Sequence, residues 1–242
     1  MTGTLVVAVL ATGAGACLQS AGGFGFAMVA GPALFAVLDP AEAVGALLVL
    51  GSGLNALVLA GERRRAEVRW HELAPMLGAA VPGLVAGVWL LEALSKEALQ
   101  VLVGIGVLAA VAVRRRTPHA AGAASGYPVG FLAGALTTST SVNGPPLLLW
   151  LRARGAGPAE LRDSLAASFL GLNVLGVATV AVAAGGEGSP GAAVLLALAP
   201  AAALGHLAGR RLFLRMERPH FEALGTTVVV AAGLASLATA AL

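Results

Sequence analysis

The chain has 242 residues, 58% of them hydrophobic and only 11% charged, with a formal net charge of +3 and a mean hydropathy of +0.88. Soluble domains carry roughly 25% charged residues, so this composition cannot cover a water-facing surface and excludes a soluble enzyme or scaffold. Several apolar runs approach or exceed the roughly 20 residues that cross hydrocarbon as a helix, and the fold class read from them is an all-α polytopic membrane protein. The isoelectric point near 10.0 does not indicate nucleic acid, because the arginines lie in short clusters between apolar runs without interleaved aromatics. The partner is the lipid bilayer. The single cysteine, Cys17, excludes an internal disulfide and a cysteine metal cage, and neither a metal nor a cofactor is expected.

In chain order, "MTGTLVVAVLATGAGACLQS" resembles a lipoprotein leader ending at Cys17. It lacks a positive start, and Ala14 stands where such a site usually has leucine, so it reads as the first membrane segment. The apolar segments run 4–38, 41–60, 73–91, 98–113, 128–151, 160–184 (apolar from 164), 191–209 and 221–241. Basic residues cluster in alternate linkers: Arg63, Arg64, Arg65 and Arg69; Arg114, Arg115 and Arg116; Arg152, Arg154 and Arg162; Arg210, Arg211, Arg215 and Arg218. Only Lys96 lies elsewhere. The positive-inside rule puts these four linkers in the cytoplasm and both termini outside. Trp70, Tyr127 and Trp150 then fall near the cytoplasmic edge and Trp89 near the outer one, as interfacial aromatics do.

Segment 128–151 starts and ends at cytoplasmic linkers, so it enters and returns. With about 12 residues, or roughly 18 Å, per arm, it reads as a re-entrant hairpin with its tip at Ser139 to Gly144. Pro145 and Pro146 then open the second arm, where their missing N–H groups do no harm. Segment 4–38 is too long for one crossing. It reads as a second hairpin, broken between Ser20 and Phe26, that starts and ends outside.

Each half therefore reads as a broken or re-entrant hairpin followed by three transmembrane helices, in two inverted-topology repeats over 1–113 and 114–242. "DPAEAVGALLVLGSGLN" aligns with "GPAELRDSLAASFLGLN", placing Asn55 and Asn173 each 15 residues after Pro40 and Pro158. Gly83 with Gly87 likewise parallels Gly205 with Gly209. Inverted repeats with helices broken near mid-membrane build secondary transporters.

"GFGFAMVAGPAL" and "SVNGPPLLLWL" resemble the paired signatures of the sulfite exporter TauE/SafE family, also called the TSUP family, and the resemblance covers nearly the whole chain. It implies export of sulfite or of organosulfonates such as sulfoacetate across a bacterial inner membrane. Neither the substrate nor the direction follows from composition or spacing. Another small anion, or uptake, stays open, as does a homodimer.

A helix that begins in mid-membrane leaves backbone N–H groups unpaired and carries partial positive charge, which makes it an anion site. The candidate substrate-binding residues are Gln19, Ser20, Gly22, Gly23 and Gly25 at the first tip and Thr138, Ser139, Thr140, Ser141, Asn143 and Gly144 at the second. Asn55 and Asn173, on the helices that follow the hairpins, are substrate-binding candidates with them. His206 and Arg210 are gate or coupling candidates. The plainer readings are hydroxyls bonded to the preceding turn and asparagines joining helices, with His206 as a packing residue. Asp39, Glu42, Glu160 and Asp163 read as interfacial helix-start residues. A rival class, an intramembrane serine hydrolase with Ser139 or Ser141 as nucleophile and His206 as base, lacks a Gly-x-Ser elbow and an orienting acid.

Overall fold

The computed structural model describes residues 2–61, 66–114, 126–183 and 190–215, with 227, 230–234 and 236–238. Most of the expected last crossing, 221–241, lies outside the described residues. So do Arg63 to Arg65, Arg115, Arg116 and Arg218, and the linker at 184–189.

Among the described residues every regular element is helical: α1 (Thr2–Gly22), α2 (Phe26–Val37), α3 (Pro40–Ala60), α4 (Trp70–Ala93), α5 (Lys96–Arg114), α6 (Gly126–Thr140), α7 (Gly144–Ala153), α8 (Pro158–Ala183) and α9 (Ala192–Arg215). Five of them, α1, α3, α4, α8 and α9, are long and apolar enough to cross a membrane. The protein is an all-α polytopic membrane protein. Large apolar side chains such as Trp89, Val182 and Leu196 are exposed on its outside, as suits a surface in lipid. Two buried apolar clusters, one around Phe35, Leu47 and Leu48 and one around Leu147, Leu151 and Leu165, hold the interior.

Helix starts follow the sequence chemistry. Asp39 is extended, Pro40 sits in the first turn and Glu42 meets the positive end of α3; Pro158 and Glu160 do the same for α8. Proline there gives up an N–H that has no helical partner, and the carboxylate suits the dipole.

The two breaks fall within the expected stretches. α1 ends at Gly22, Gly23 and Gly25 take φ of +80° and +117°, and α2 begins at Phe26. α6 ends at Thr140, Ser141 takes φ +60°, and α7 begins at Gly144. The last turn closes alike in both: Gly23 N–H donates to Gln19 C=O at 2.8 Å and Ser141 N–H to Thr137 C=O at 3.1 Å. Ser141 is the one non-glycine residue with positive φ among those described, a conformation that costs an L-residue about 1–2 kcal/mol.

A single register relates these features. Gln19 and Thr137, Gly23 and Ser141, Phe26 and Gly144, Pro40 and Pro158, and Asn55 and Asn173 are each 118 residues apart. Packing follows the same register. Gly83 and Gly87 of α4 lie against the carbonyls of Phe131 and Ala135 of α6, while Gly205 and Gly209 of α9 lie against those of Gly13 and Cys17 of α1. Phe131 and Ala135 are again 118 beyond Gly13 and Cys17, whereas the glycines are 122 apart. The added four residues are about one helical turn, so the same face is presented.

The hairpin arms are unequal. α1, with 21 residues, is of full crossing length rather than a half arm, while α2 has 12. At about 1.5 Å per residue α2 is about 18 Å long and the 10-residue α7 about 15 Å. Placed end to end they match the roughly 30 Å hydrocarbon core.

These contacts predict a sharp contrast within α4. A methyl at Gly83 would overlap the Phe131 carbonyl, whereas Gly78 has nothing within 4 Å. Gly83→Ala should cost about 1–3 kcal/mol from overpacking, and Gly78→Ala should be neutral or stabilising by about 0.5–1 kcal/mol. Thermal unfolding in detergent reads both; wild-type melting of Gly83→Ala would refute the close approach.

Candidate functional site

The breaks meet at a partly open cavity of about 30 Å³, two to three times the roughly 10–15 Å³ that one ordered water needs. One wall is the α2 start at Gly25, Phe26, Ala27 and Met28, and the opposite wall is the second break from Ser141 to Gly144. Gln19 of α1, Leu47, Gly51 and Asn55 of α3, and Phe169 and Asn173 of α8 complete it. Of the expected residues, the cavity therefore gathers Gln19, Gly25, Asn55, Ser141, Asn143, Gly144 and Asn173.

Ser20, Gly22, Gly23, Thr138, Ser139 and Thr140 do not line it. Thr138 Oγ1 donates to Leu84 C=O of α4 at 2.6 Å, Ser139 Oγ to Ala135 C=O at 2.7 Å and Thr140 Oγ1 to Leu136 C=O at 3.2 Å. A hydroxyl has one proton. Once it is donated to a carbonyl, only lone pairs remain, and these repel an anion. The Ser141 tie to Thr137 C=O is long, at 3.4 Å, so this hydroxyl is the one most easily turned toward the cavity. Gly22 closes α1, and Gly23 lies against Arg162, whose guanidinium donates to Ser20 C=O at 3.1 Å. That contact suits a cation at a helix C-terminus.

His206 also belongs to this first hairpin. Its Nδ1 is 2.7 Å from Ser20 Oγ, and Arg210 donates to Gly61 C=O at the end of α3 at 3.0 Å. The pair ties α9 to α1 and α3. For a hydrolase the geometry is wrong: His206 bonds Ser20, not Ser139 or Ser141, and among the described residues no carboxylate orients it.

Within the cavity the two halves differ. Gln19 Oε1 accepts from Phe26 N–H at 3.2 Å, Gln19 Nε2 donates to Asn55 Oδ1 at 2.7 Å, and Asn55 Nδ2 donates to Gly51 C=O at 2.8 Å. Both ends of this chain are backbone groups of fixed polarity, so the amide orientations are determined rather than chosen. Asn55 is thereby fully engaged. In the second half the position of Gln19 is taken by Thr137, too short to reach Asn173. Thr137 Oγ1 donates to Ala133 C=O at 2.6 Å and accepts from Asn143 Nδ2 at 2.7 Å. Asn173, more than nine-tenths buried, is left with no partner for either amide atom among the described residues.

The helix starts are unequal as well. Among the described residues the N–H groups of Ala27 and Met28 have no protein acceptor. At the second start Pro145 and Pro146 have no N–H at all, leaving Gly144 as the donor nearest the break. Backbone donors thus come chiefly from the first half and side-chain donors from the second. No charged side chain lines the cavity among the described residues.

A search for polar donors overlooks the walls: Phe26, Met28, Leu47, Gly51, Val142 and Phe169. Two of these could have been found by register. Phe26 faces Gly51 at 3.7 Å, measured to an ideal Cβ on the glycine, and Phe169 faces Gly144 at 3.7 Å in the same measure. Phe26 pairs with Gly144 and Gly51 with Phe169 at the 118-residue spacing, so the ring and the glycine have changed places between the halves.

At one end of the bundle, Arg69 before α4 meets Glu160 of α8 at 2.8 Å and Glu72 at 3.0 Å, and donates to Arg154 C=O at 2.9 Å. Arg154 Nε lies 3.1 Å from Glu72 Oε2, a charge contact without hydrogen-bond alignment, and its guanidinium stacks 5.4 Å above the Trp150 ring. The equivalent contact at the other end is between Glu42 Oε1 and Gly191 N–H at 3.2 Å.

A family model described as sulfite exporter TauE/SafE matches residues 7–236, from the first turns of α1 to the last described helical residues. No curated protein and no solved structure matches the chain. The matched stretch includes both breaks and every wall of the cavity. With nearly its whole length matched, the chain belongs to the sulfite exporter TauE/SafE family of membrane transporters.

Proposed function

We propose that this transporter exports a small sulfur-containing anion, of the sulfite or organosulfonate class, across a bacterial inner membrane by alternating access, and that the anion is held between the two helix breaks. The observation that carries this reading is Asn173: a buried side-chain amide with no partner among the described residues, on a cavity where the Ala27 and Met28 N–H groups are likewise unpaired among them. A ligand that pairs with several of these groups at once gains a hydrogen bond from each. Each hydrogen bond to a charged ligand contributes about 1.5–3 kcal/mol. Neutral donors suit a carrier, which must release what it binds.

The common 118-residue register and the matched α1–α9 and α4–α6 contacts support two inverted repeats, 1–113 and 114–242, meeting at the site. In this reading the arginine-rich linkers face the cytoplasm and both termini lie outside.

Asn173→Leu should weaken sulfite binding about 10- to 150-fold with little loss of stability, because it removes a group with no protein partner. Asn55→Leu should act in the opposite sense, destabilising the fold by about 1–3 kcal/mol by orphaning buried Gln19 Nε2. Thr137→Gln should weaken binding too, by giving Asn173 the partner that Gln19 gives Asn55. Calorimetry with sulfite and thermal unfolding separate the three; equal behaviour of the two asparagine variants would sink the assignment. For topology, cysteines placed at Thr2 and Gly188 should react with an impermeant maleimide in intact cells, and one at Ala66 should not. The reverse labelling pattern would invert the membrane orientation.

A further inference from the structure

We propose that the cavity selects compact, singly charged oxyanions, bisulfite rather than sulfite dianion among them, and that Phe26 and Phe169 set the size limit. This rests on the reading above that the transported anion sits between the breaks.

The charge preference follows from what lines the site. Every lining side chain among the described residues is neutral. The desolvation cost of an ion grows with the square of its charge, so a dianion costs about four times as much to bury as a monoanion of equal size. The stabilisation returned by fixed neutral dipoles grows only linearly with charge. Without a cation at the cavity, the single charge is favoured.

Asn173 adds a chemical reason. Its amide has both a donor and an acceptor unengaged. An oxyanion stripped of protons satisfies the N–H and leaves the C=O facing lone pairs. A protonated oxyanion offers O–H and O⁻ on neighbouring oxygens, which match an amide edge in both polarities. Gly51 makes room for this amide: an added Cβ there would come within 2.7 Å of Asn173 Nδ2.

The size limit follows from the exchanged rings. Phe26 and Phe169 are both buried and both line a cavity of about 30 Å³. Each ring faces a glycine of the opposing helix, at 3.7 Å from where an ideal Cβ would stand, so the ring and not the glycine forms the wall there. An oxyanion with no tail, or with a methyl, fits between the rings, and a longer polar tail beside the oxygens would press on Phe26 or Phe169.

The test is calorimetry on the purified full chain in detergent, at pH values on either side of the ionisation that converts bisulfite to sulfite. Apparent affinity for total sulfite should fall by about tenfold per pH unit above that ionisation, as the bound species becomes scarce. Methanesulfonate stays singly charged throughout and controls for titration of the protein. The groups to be controlled are His206 on α9, which touches Ser20, and the charged Arg162 on α8 and Arg210 on α9, none of which lines the cavity. Its affinity should be flat with pH, and sulfate should bind at least tenfold more weakly than sulfite at the lower pH. For size, isethionate should not bind wild type, while Phe26→Ala or Phe169→Ala should admit it with a gain of tenfold or more. The milder Phe26→Leu and Phe169→Leu replace either alanine variant that fails to fold. Sulfite affinity independent of pH, sulfate binding as tightly as sulfite, or isethionate binding equally to wild type and variants would overturn the proposal. Binding of none of these anions to wild type would instead remove the functional reading beneath it.

Discussion

A helix interrupted inside hydrocarbon exposes backbone groups that lipid cannot satisfy, and the architecture around the cavity depends on how each interruption is repaired. At the first break one side chain does most of the repair. Gln19 leaves α1 just before its end, takes the first N–H of α2 and holds Asn55 of α3 through its amide nitrogen. Three helices are joined by one buried polar chain with both ends on backbone, and no member of it can rotate without leaving another unpaired. Such a network rigidifies because partial satisfaction is costly.

The second break solves the same problem with different residues, and the site arises from that difference. Thr137 stands where Gln19 would be, and its hydroxyl secures Asn143 instead of reaching α8. Pro145 and Pro146 remove two N–H groups instead of satisfying them. Asn173, equivalent to Asn55 by register, then has no partner among the described residues. Exact symmetry would have engaged both asparagines and left only backbone N–H groups unpaired. The departure from symmetry adds a side-chain donor opposite the unpaired backbone N–H groups of the first half, an arrangement that the proposed neutral recognition of an anion would use.

Much of the framework was legible in the sequence because it is written in coarse features. Pro40 and Pro158 with their carboxylates mark helix starts, and "SAGGFGF" and "TSTSVNGPP" mark breaks by residues that tolerate positive φ or cannot continue a helix. Alternating arginine clusters carry the topology expectation. Within the site, the Gln19, Asn55, Asn143 and Asn173 amides were legible as cavity residues, but the engagement of three and the freedom of the fourth depend on who lies within reach. The run from Thr138 to Thr140 reads as a donor cluster, yet hydroxyls on a helix find a carbonyl one turn back or on a packed neighbour, and these do. The phenylalanine walls gave no polar signal. The full length of α1 was hidden as well, because its apolar run flows into the break without a charge to mark the boundary.

The same register exposes a difference between the ends of the molecule. Arg69 and Gly191 are equivalent positions before α4 and α9, at the 122-residue spacing of those helices, and Glu160 and Glu42 are equivalent at 118. One end thus joins its long helices through an arginine held by two carboxylates and continued through Arg154 to Trp150. The other joins them through one backbone N–H. An isolated exposed ion pair contributes only about 0–1 kcal/mol, but here Glu72 is largely buried and shared between two arginines, so separating the helices would strip several contacts from partly desolvated charges. A motion that parts α4 from α8 breaks that network, whereas among the described residues the related motion at the start of α9 breaks the one hydrogen bond to Glu42. Near-twofold construction therefore does not make the two ends equally easy to open, and residues 69 and 191 are where the halves diverge.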